Sequence, residues 1–391
     1  MKKKISVIFI LFTFIFTLNT FFAFISVKAN ASYGFDGIQS RSAYLCDETG
    51  NHVIYAKNED LKLPIASMCK IMTLLLSFEE IDAGNISLDE KIVVSQNASN
   101  MGGSQVFLEA NEEYLISNLI KSIVVASAND ASVAMAERIA GSEEAFVEKM
   151  NEKAKSLGME NTQFVNSTGL PKIGQHSTAK DVAKMYSELI KHKDYFKYSN
   201  IWMDEIKHKD GRVTEISNTN KLIRFYKGCE GGKTGYTSEA KHCLTASAVR
   251  GDLKLISVVI SAPDSKTRFK DASSMFDYGF ANFTSKKIID DSKVLDVLVK
   301  VEKGKKDSIQ TKPKESVSVF MEKNEKANFE LAFKSNEKIY APLNIGDEVG
   351  EITVYKNGVE LKTVKVVSAE DVDKASFFDY VKKIGVSWSI I

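Results

Sequence analysis

The chain has 391 residues, of which 44% are hydrophobic and 26% are charged, and its formal net charge is +1. This length allows two or three domains with a sizeable core, and the composition is that of a globular protein. The near-zero charge excludes a protein-wide positive field of the kind that attracts nucleic acid, so we expect no nucleic-acid partner.

The first 31 residues have the three parts of a secretory signal. A basic Met-Lys-Lys-Lys start is followed by an uncharged apolar run at 5–26, and the segment ends in Ala29-Asn30-Ala31. This small-x-small ending predicts cleavage after Ala31. An uncleaved membrane anchor is the alternative, because the apolar run is long enough to span a bilayer. Under both interpretations the remaining chain is exported, and we expect it at the outer face of the cytoplasmic membrane or in the cell envelope.

Residues 32–287 change from strand to helix patterns and back. The stretch at 42–58 alternates around a Thr-Gly pair and is typical of a β-hairpin. Four helical patterns follow, at 66–80, 118–140 (with a Ser-Ala-Asn-Asp turn signal inside), 143–158 and 178–192. From Gly232 apolar strands joined by Arg-Gly-Asp return, and a helix closes the unit near Phe283. This order predicts an α+β domain whose antiparallel sheet is split by a helical insertion and flanked by helices.

The last hundred residues have a different pattern. Residues 288–372 are short β-rich runs with an Asn357-Gly358 hairpin signal, which predicts a separate small β domain. Residues 373–391 are amphipathic, and one helical face would carry Phe377, Val381, Ile384, Trp388 and Ile391. This segment is too short and too charged to span a bilayer. We expect it to lie in the membrane interface, with packing on the β domain as the alternative.

The four cysteines do not predict a metal centre. Cys46, Cys69, Cys229 and Cys243 have spacings that match no zinc pattern, and we expect no metal and no cofactor. A bridge between Cys229 and Cys243 is conceivable in an exported protein. No histidine lies near Cys69 in the sequence, so we interpret it as a small buried residue rather than a nucleophile.

A serine and a lysine lie one turn apart where the first long helix begins. Ser-x-x-Lys occurs four times in the chain, and only Ser67-x-x-Lys70 opens a strongly apolar helix. Side chains at i and i+3 share a helical face. Burial lowers the pKa of a lysine, so Lys70 can act as the base that deprotonates Ser67. The free N–H groups of the first turn can hold a developing oxyanion.

Two further short motifs follow in order. Ser127-Ala128-Asn129 lies at the break between two helical patterns, where a hydroxyl can relay a proton and an amide can hold a peptide group. Lys233-Thr234-Gly235 begins a strand, and its lysine and threonine suit a substrate carboxylate. Gly235 allows a substrate backbone to approach the strand. The N–H group of the next residue, Tyr236, is a candidate second oxyanion donor. Ser-x-x-Lys and Ser-x-Asn each occur more than once in the chain, whereas Lys-Thr-Gly occurs once. Taken singly, each motif is more typical of a protein surface than of a site.

The ordered set resembles one family. Ser-x-x-Lys, Ser-x-Asn and Lys-Thr-Gly in this order, with the export signal, resemble the low-molecular-mass penicillin-binding proteins, the serine D-alanyl-D-alanine carboxypeptidases. The resemblance extends over nearly the whole chain, in segments such as PIASMCKIMT, ASANDASVAMAE, NTQFVNSTGLP and GGKTGYT. It implies an antiparallel sheet flanked by helices, with the site between sheet and helical region, and a β-rich stalk.

The resemblance also implies roles for particular residues. Ser67 would be acylated by the peptidoglycan pentapeptide, or by a β-lactam inhibitor, with Lys70 as the base. Ser127 and Lys233 would carry the proton to the departing D-alanine, and Asn129 would hold the acyl-side amide. Thr234 and Arg268 would bind the terminal carboxylate, although Arg268 could instead form a surface ion pair. His176 is interpreted as a loop histidine near a helix start.

Three alternatives remain open at this point. A serine β-lactamase would use the same scaffold, but the class A Glu-x-x-Leu-Asn pattern is absent between Asn129 and Lys233. A DD-transpeptidase differs only in using an amine in place of water. A non-catalytic envelope-binding protein would keep the scaffold and lose a nucleophile or base, and every expected group is present here.

Overall fold

The computed structural model describes residues 37–388, with side chains as far as residue 383. The secretory signal predicted at 1–31 lies outside the described residues. None of the helices within 37–388 has the length and apolar character needed to cross a membrane.

The first part of the described chain contains nine strands, nine α-helices and one 3₁₀ turn. In chain order these are β1 Ser42–Asp47, β2 Val53–Lys57, the 3₁₀ turn Ala66–Cys69, α1 Lys70–Asp82, β3 Lys91–Val93, α2 Gln96–Ser99, β4 Glu113–Leu115, α3 Ile116–Val125, α4 Asn129–Ala140, α5 Glu143–Ser156, α6 Ala179–Leu189, α7 Tyr195–Ser199, β5 Met203–Lys207, β6 Val213–Ser217, α8 Leu222–Phe225, β7 Cys229–Thr237, β8 Lys241–Arg250, β9 Leu253–Ala262 and α9 Ser265–Asn282.

A five-stranded antiparallel sheet joins the two ends of this region. Its strand order is β2-β1-β9-β8-β7, so the first hairpin pairs through β1 with β9, whose residues follow more than two hundred positions later. The chain between β2 and β7 contains most of the helices, which is the helical insertion that the sequence predicts. Strand β7 is at the edge of the sheet, so one side of it remains available to a ligand.

Helix α1 is the centre of the helical side. Its first nine residues, 70–78, are all buried, and they include Ile71, Leu75 and Phe78 in one core with Tyr186 of α6. A helix that is apolar on every side belongs in a core. The polar Lys70 at its start is therefore withdrawn from bulk water together with its neighbours.

The other face of the sheet is covered by α9. Phe276 and Phe280 of this helix pack with Leu244, Leu255 and Val259 of the central strands in a second core. Strands β8 and β9 thus contribute alternate residues to the two cores, which is why their sequences are apolar almost throughout.

The β domain follows α9 directly. Its elements are β10 Phe283–Ile289, β11 Leu295–Lys300, β12 Ser308–Pro313, β13 Val317–Glu322, β14 Phe329–Ser335, β15 Glu348–Lys356, β16 Val359–Ser368 and α10 Phe377–Trp388. Five strands form a sheet in the order β11-β12-β16-β15-β14, and β10 pairs with β13. Asn357 and Gly358 have φ of 53° and 79°, as the hairpin turn predicted between β15 and β16 requires.

The mixed helix and strand region at 37–282 and the β domain contact each other through aromatic rings. Phe320 of β13 stacks on Phe283 at 5.2 Å between ring centroids, and on His52 of the β1–β2 turn at 4.7 Å. The predicted boundary at residue 287 therefore lies within β10, whose first residue already packs against the β domain.

Cys229 and Cys243 do not form the disulfide bridge that the sequence leaves open. All four cysteines, which lie within the described residues, are free. Cys243 is opposite Gly235 in the β7–β8 register, whereas Cys229 is opposite Ala248. The two thiols are therefore separated by about 16 Å along the strands, far beyond the Cα separation that a disulfide allows.

Candidate active site

The serine of the first motif lies on a tight turn, not on the helix itself. The sequence predicts a helix from residue 66, whereas residues Ala66–Cys69 form a 3₁₀ turn and α1 starts at Lys70. Ala66 has a left-handed φ of 48°, a strained conformation for a residue with a Cβ. In a 3₁₀ turn residues i and i+3 eclipse each other, which places Lys70 directly against Ser67.

The Lys70 amine is the best-defined polar group of the site. It donates to Asn129 Oδ1 and to the Thr168 carbonyl, both at 2.6 Å, and to Ser67 Oγ at 3.3 Å. The residue is fully buried. Burial lowers the pKa of Lys70 to about 7. Near neutral pH a large fraction of this amine is unprotonated and can accept the Ser67 proton.

A second lysine–serine pair comes from the other two motifs. Lys233 Nζ of β7 donates to Ser127 Oγ at 2.7 Å, although the two residues are 106 positions apart. Ser127 occupies the break between α3 and α4 with a φ of 62°. Burial lowers the pKa of Lys233 well below its usual value, and the charges of Lys70 and Arg268 lower it further.

Asn129 links the first pair to a neighbouring loop. Its amide accepts from Lys70 through Oδ1, and Nδ2 donates to the Gly102 carbonyl at 2.7 Å. Each end of the amide has capacity for one more hydrogen bond. The predicted role of Asn129 in holding a substrate amide would use that remaining capacity.

The Lys-Thr-Gly strand lies against the nucleophile turn. A Cβ atom added at Gly235 would be 2.7 Å from the Ile65 carbonyl oxygen and 3.1 Å from Ser67 N. Only glycine allows this approach. Thr234 is buried, and Tyr236 is 60% exposed with its ring against His242, 4.5 Å between centroids.

Among the residues at 37–383, no carboxylate forms an ion pair with Arg268. It is partly buried on α9, and its Nη1 donates to the carbonyls of Gly235 at 3.2 Å and Cys243 at 3.4 Å. Within the described residues its Nε is buried without a hydrogen-bond partner. Burial lowers the pKa of Arg268. The guanidinium therefore holds β7, the strand that carries Lys233-Thr234-Gly235, by a hydrogen bond and places a positive charge next to it.

Neither His176 nor Cys69 has the surroundings of a catalytic group. His176 lies in the loop before α6, and its ring nitrogen Nδ1 contacts the Gly174 carbonyl at 2.8 Å. Cys69 is buried with its thiol on the Asn166 carbonyl, and burial raises the pKa of Cys69 to about 12. A thiol with such a pKa is protonated at neutral pH and is not a competing nucleophile.

The loop at 166–170 is the part of the site to which the sequence assigned no role. Thr168 supplies the carbonyl that accepts from Lys70, and Asn166 Oδ1 accepts from Gly169 N at 2.7 Å. Gly169 has a φ of 82°, and a Cβ there would be 2.0 Å from the Ala66 carbonyl oxygen. The sequence indicates this loop in two ways, by its turn-forming Asn-Ser-Thr-Gly composition and by its place in the segment NTQFVNSTGLP, which resembles the family.

Comparison with known proteins identifies the family. A family model described as D-alanyl-D-alanine carboxypeptidase matches residues 27–264. The chain belongs to this family. A second model, described as the C-terminal domain of penicillin-binding protein 5, matches residues 283–374. The resemblance that the three motifs indicate is therefore confirmed, and so is the predicted fold class.

Relatives of this carboxypeptidase match it over most of their length. D-alanyl-D-alanine carboxypeptidase DacF of Bacillus subtilis (strain 168) is 41% identical over 352 residues, which are 90% of each chain. DacC of Escherichia coli (strain K12) is 31% identical over 95% of this chain and 92% of its own. The solved structure of penicillin-binding protein 5 from Haemophilus influenzae has a TM-score of 0.65 and 26% identity, over 86% of this chain and 98% of that one. The carboxypeptidase is thus an enzyme of the serine type.

Proposed function

We propose that this chain is an exported serine peptidase that removes the terminal D-alanine from peptidoglycan pentapeptides through an acyl-serine intermediate. Penicillin would acylate the same serine. The observation that carries the proposal is the pairing of two buried lysines with two hydroxyls: Lys70 with Ser67, and Lys233 with Ser127, around one short strand edge.

Acylation can be written with every proton accounted for. Neutral Lys70 takes the proton of Ser67 as Oγ attacks the carbonyl carbon of the penultimate D-alanine. The N–H groups of Ser67 and Tyr236 would stabilise the oxyanion. As the C–N bond breaks, Ser127 gives its proton to the leaving amine and recovers one from Lys233. The two lysines together then hold as many protons as before.

Deacylation restores the starting state. The proton on Lys70 is first exchanged back to Lys233 through solvent. A water molecule then attacks the ester, Lys70 takes the water proton, and this proton passes to Ser67 Oγ as the ester bond breaks. The products are the shortened peptide acid and free D-alanine. The positive charges of Lys233 and Arg268 support binding of the substrate's terminal carboxylate beside Thr234.

The direct test combines substitution with two assays. Ser67→Ala should abolish both covalent labelling by fluorescent penicillin and release of D-alanine from a pentapeptide. Ser335→Ala is a matched control, because Ser335 also begins a Ser-x-x-Lys sequence but lies in β14. D-alanine release that survives Ser67→Ala would contradict the proposal and favour a non-catalytic binding role for this site.

The rival reactions on this scaffold differ in the fate of the acyl group. A penicilloyl adduct on Ser67 that lasts for many minutes supports the peptidase, whereas rapid turnover of penicillin would indicate a β-lactamase. Adding an amine acceptor to the pentapeptide assay separates hydrolysis from transfer. We expect the free acid to remain the main product.

We also propose that the enzyme acts at the outer face of the cytoplasmic membrane. The basic and apolar N-terminus with its small-residue site supports export. The side chains of Phe377, Phe378 and Val381 on α10 are 75%, 81% and 52% exposed, which supports contact of this helix with a lipid surface.

A further inference from the structure

Glu143, the first residue of helix α5, is hydrogen-bonded to the loop that lies against the nucleophile turn. Its Oε1 accepts from Ser167 N at 2.9 Å and from Ser167 Oγ at 2.6 Å. Ser167 is fully buried within the 166–170 loop. Hydrogen bonds to an ionised carboxylate are stronger than those between neutral groups. Although neither residue has a part in the acylation and deacylation steps, this pair attaches the loop firmly to α5.

Helix α5 is a rigid place for this carboxylate. Its N-cap is Ser142, whose Oγ accepts from Ala145 N at 3.1 Å. A negative charge in the first turn of a helix is stabilised by the helix dipole. Phe146 and Met150 of the same helix are fully buried in the core that surrounds α1. The point at which the loop is attached is therefore fixed in position.

Helix α1 holds the other side of Ser167. Thr73 Oγ1 donates to the Ser167 carbonyl at 2.7 Å, and Thr73 is fully buried. Thr73 follows Lys70 by three positions, so both side chains lie on the same face of α1. Because the N–H, the hydroxyl and the carbonyl of Ser167 are all bonded, its backbone cannot rotate freely, and the peptide that follows is held in one orientation.

The carbonyl that follows, Thr168 O, accepts from Lys70 Nζ at 2.6 Å, and Asn129 Oδ1 accepts from the same nitrogen at 2.6 Å. A neutral amine has two N–H groups and one lone pair. With both N–H groups bonded to these two oxygens, the lone pair faces the third neighbour, Ser67 Oγ at 3.3 Å. Displacement of the Thr168 carbonyl would release one N–H group, and the lone pair would lose this orientation.

We infer that Glu143 is a positioning residue for acylation. By holding Ser167, it keeps the Thr168 carbonyl on Lys70 and so directs the lone pair of this amine at the nucleophile. The inference rests on the proposed function, in which Lys70 is the base. It depends on hydrogen bonding and not on charge, since a single oxygen, Oε1, accepts both bonds. An amide oxygen at the same place can accept them as well.

The test compares two substitutions of Glu143 in the full chain by the rate of labelling with fluorescent penicillin. Glu143→Ala removes the acceptor and should lower the plateau rate of acylation about tenfold to thirtyfold, because the base is no longer oriented. Glu143→Gln keeps an oxygen acceptor and should stay within about twofold of wild type. Glu144→Ala is the matched control, because Glu144 is exposed on the same helix turn, and it should leave the rate unchanged.

The pH profile of acylation separates positioning from a loss of folded protein. A hydrogen bond from an ammonium group to a carbonyl stabilises the charged form, so loss of the Thr168 contact lowers the pKa of Lys70 from about 7. Since acylation needs the neutral amine, the profile of Glu143→Ala should move to lower pH, by roughly one unit. A partly unfolded variant would have a lower plateau and the midpoint of wild type.

The other titratable groups near Lys70 are identical in all these variants. They are the Cys69 thiol on the nucleophile turn, the Asp130 carboxylate of α4 and the Lys233 amine of β7. Glu143→Gln removes the charge of Glu143 but keeps the bonds, so it measures what the charge alone contributes. Its midpoint should be that of wild type.

Three results would overturn the inference: a Glu143→Ala plateau equal to that of wild type, an unchanged midpoint, or a Glu143→Gln profile shifted as far as that of Glu143→Ala. If Glu143→Ala fails to fold, Ser167→Ala is judged by the same criteria. It removes only the hydroxyl bond, so its plateau should be about threefold to tenfold lower, with a smaller shift in the same direction. A wild-type chain that penicillin fails to label would instead overturn the proposed function, and with it the inference.

Discussion

Lys70 and Lys233 are buried amines, and among the described residues every hydrogen bond from either goes to an uncharged oxygen. An ammonium group in such surroundings is destabilised, because water is excluded and no anion replaces it. The lowered pKa values follow from this arrangement. The same burial that costs stability makes one amine a usable base at neutral pH.

The pH dependence of acylation should report the Lys70 pKa of about 7. Below pH 7 the amine is protonated and cannot accept the Ser67 proton, so the rate should fall about tenfold per pH unit. Above pH 7 the rate should reach a plateau. The measurement is the second-order rate constant for penicillin labelling between pH 5 and pH 9.

Substitution of the base provides the matching comparison. Lys70→Met should lower the acylation rate about 10³-fold at pH 7.5 and abolish the dependence near pH 7. Lys338→Met changes the lysine of another Ser-x-x-Lys sequence and should leave the rate unchanged. A wild-type profile that stays flat from pH 5 to pH 8 would exclude Lys70 as the base.

Gly169 and Gly84 form a natural pair for testing the nucleophile turn. Both have left-handed φ, 82° and 75°, but a Cβ at Gly84 meets no atom within 4 Å, whereas one at Gly169 collides with the Ala66 carbonyl. Gly84→Ala should lower the free energy of unfolding by about 1 kcal/mol and keep activity.

Gly169→Ala should lower the acylation rate at least about 100-fold, because the turn that carries Ser67 must move. Chemical denaturation gives the stability of both variants, and penicillin labelling gives their acylation rates. Equal acylation by the two variants would show that the 166–170 loop does not position the serine.

At the scale of elements, the sequence predicts the helices and strands better than their ends. Helix α1 and the β15–β16 hairpin follow from local patterns, because apolar periodicity and Asn-Gly act locally. The 3₁₀ turn at Ala66–Cys69 does not, since the strained φ of Ala66 is held by two distant glycines, Gly169 and Gly235.

The site itself was only partly predictable for the same reason. The order of the three motifs indicates Ser67, Lys70, Ser127 and Lys233, and the resemblance implies that Ser127 and Lys233 act together. Neither indicates that a backbone carbonyl, Thr168 O, accepts from Lys70. Backbone acceptors have no sequence signature. Contacts across a hundred residues depend on sheet topology, which local patterns do not contain.

The start of helix α4 is held to the preceding loop by one buried carboxylate, that of Asp130. The buried Asp130 carboxylate accepts from the N–H groups of Val106, Leu108 and Ala131, and so fastens the preceding loop to the helix that carries Asn129. Asp130→Ala leaves these donors without an acceptor and should lower the free energy of unfolding by about 3 kcal/mol.

Asp252→Ala, in the exposed β8–β9 turn, is the control and should change stability by less than about 0.5 kcal/mol. Urea denaturation followed by fluorescence measures both. A loss for Asp130→Ala no larger than that for Asp252→Ala would show that the carboxylate does not fasten the loop.

For the whole molecule, the β domain and α10 bear on where the enzyme works. If α10 lies on lipid, the Phe377→Glu/Phe378→Glu double variant should bind anionic vesicles at least tenfold more weakly, because each phenylalanine contributes about 1.5–3 kcal/mol when buried. D-alanine release from a soluble peptide should not change. Vesicle co-sedimentation measures the binding.

Leu331→Glu/Val359→Glu is the control for that experiment. Both residues are exposed, by 50% and 66%, on strands of the β domain. This variant should bind vesicles as the wild type does. If both double variants weakened binding equally, the attraction would belong to the general surface and not to α10.

Among the described residues, the buried amines of Lys70 and Lys233 have no counter-anion, and this predicts how the heat of ligand binding depends on the buffer. A ligand that brings a carboxylate next to Lys233 and Arg268 stabilises ammonium groups there, so the complex should take up hydrogen ions from the buffer at neutral pH. The heat of binding of such a ligand should then vary with the ionisation enthalpy of the buffer. An ester analogue of the same ligand should show almost no such variation, and the slope of heat against buffer enthalpy would count the hydrogen ions absorbed per molecule bound.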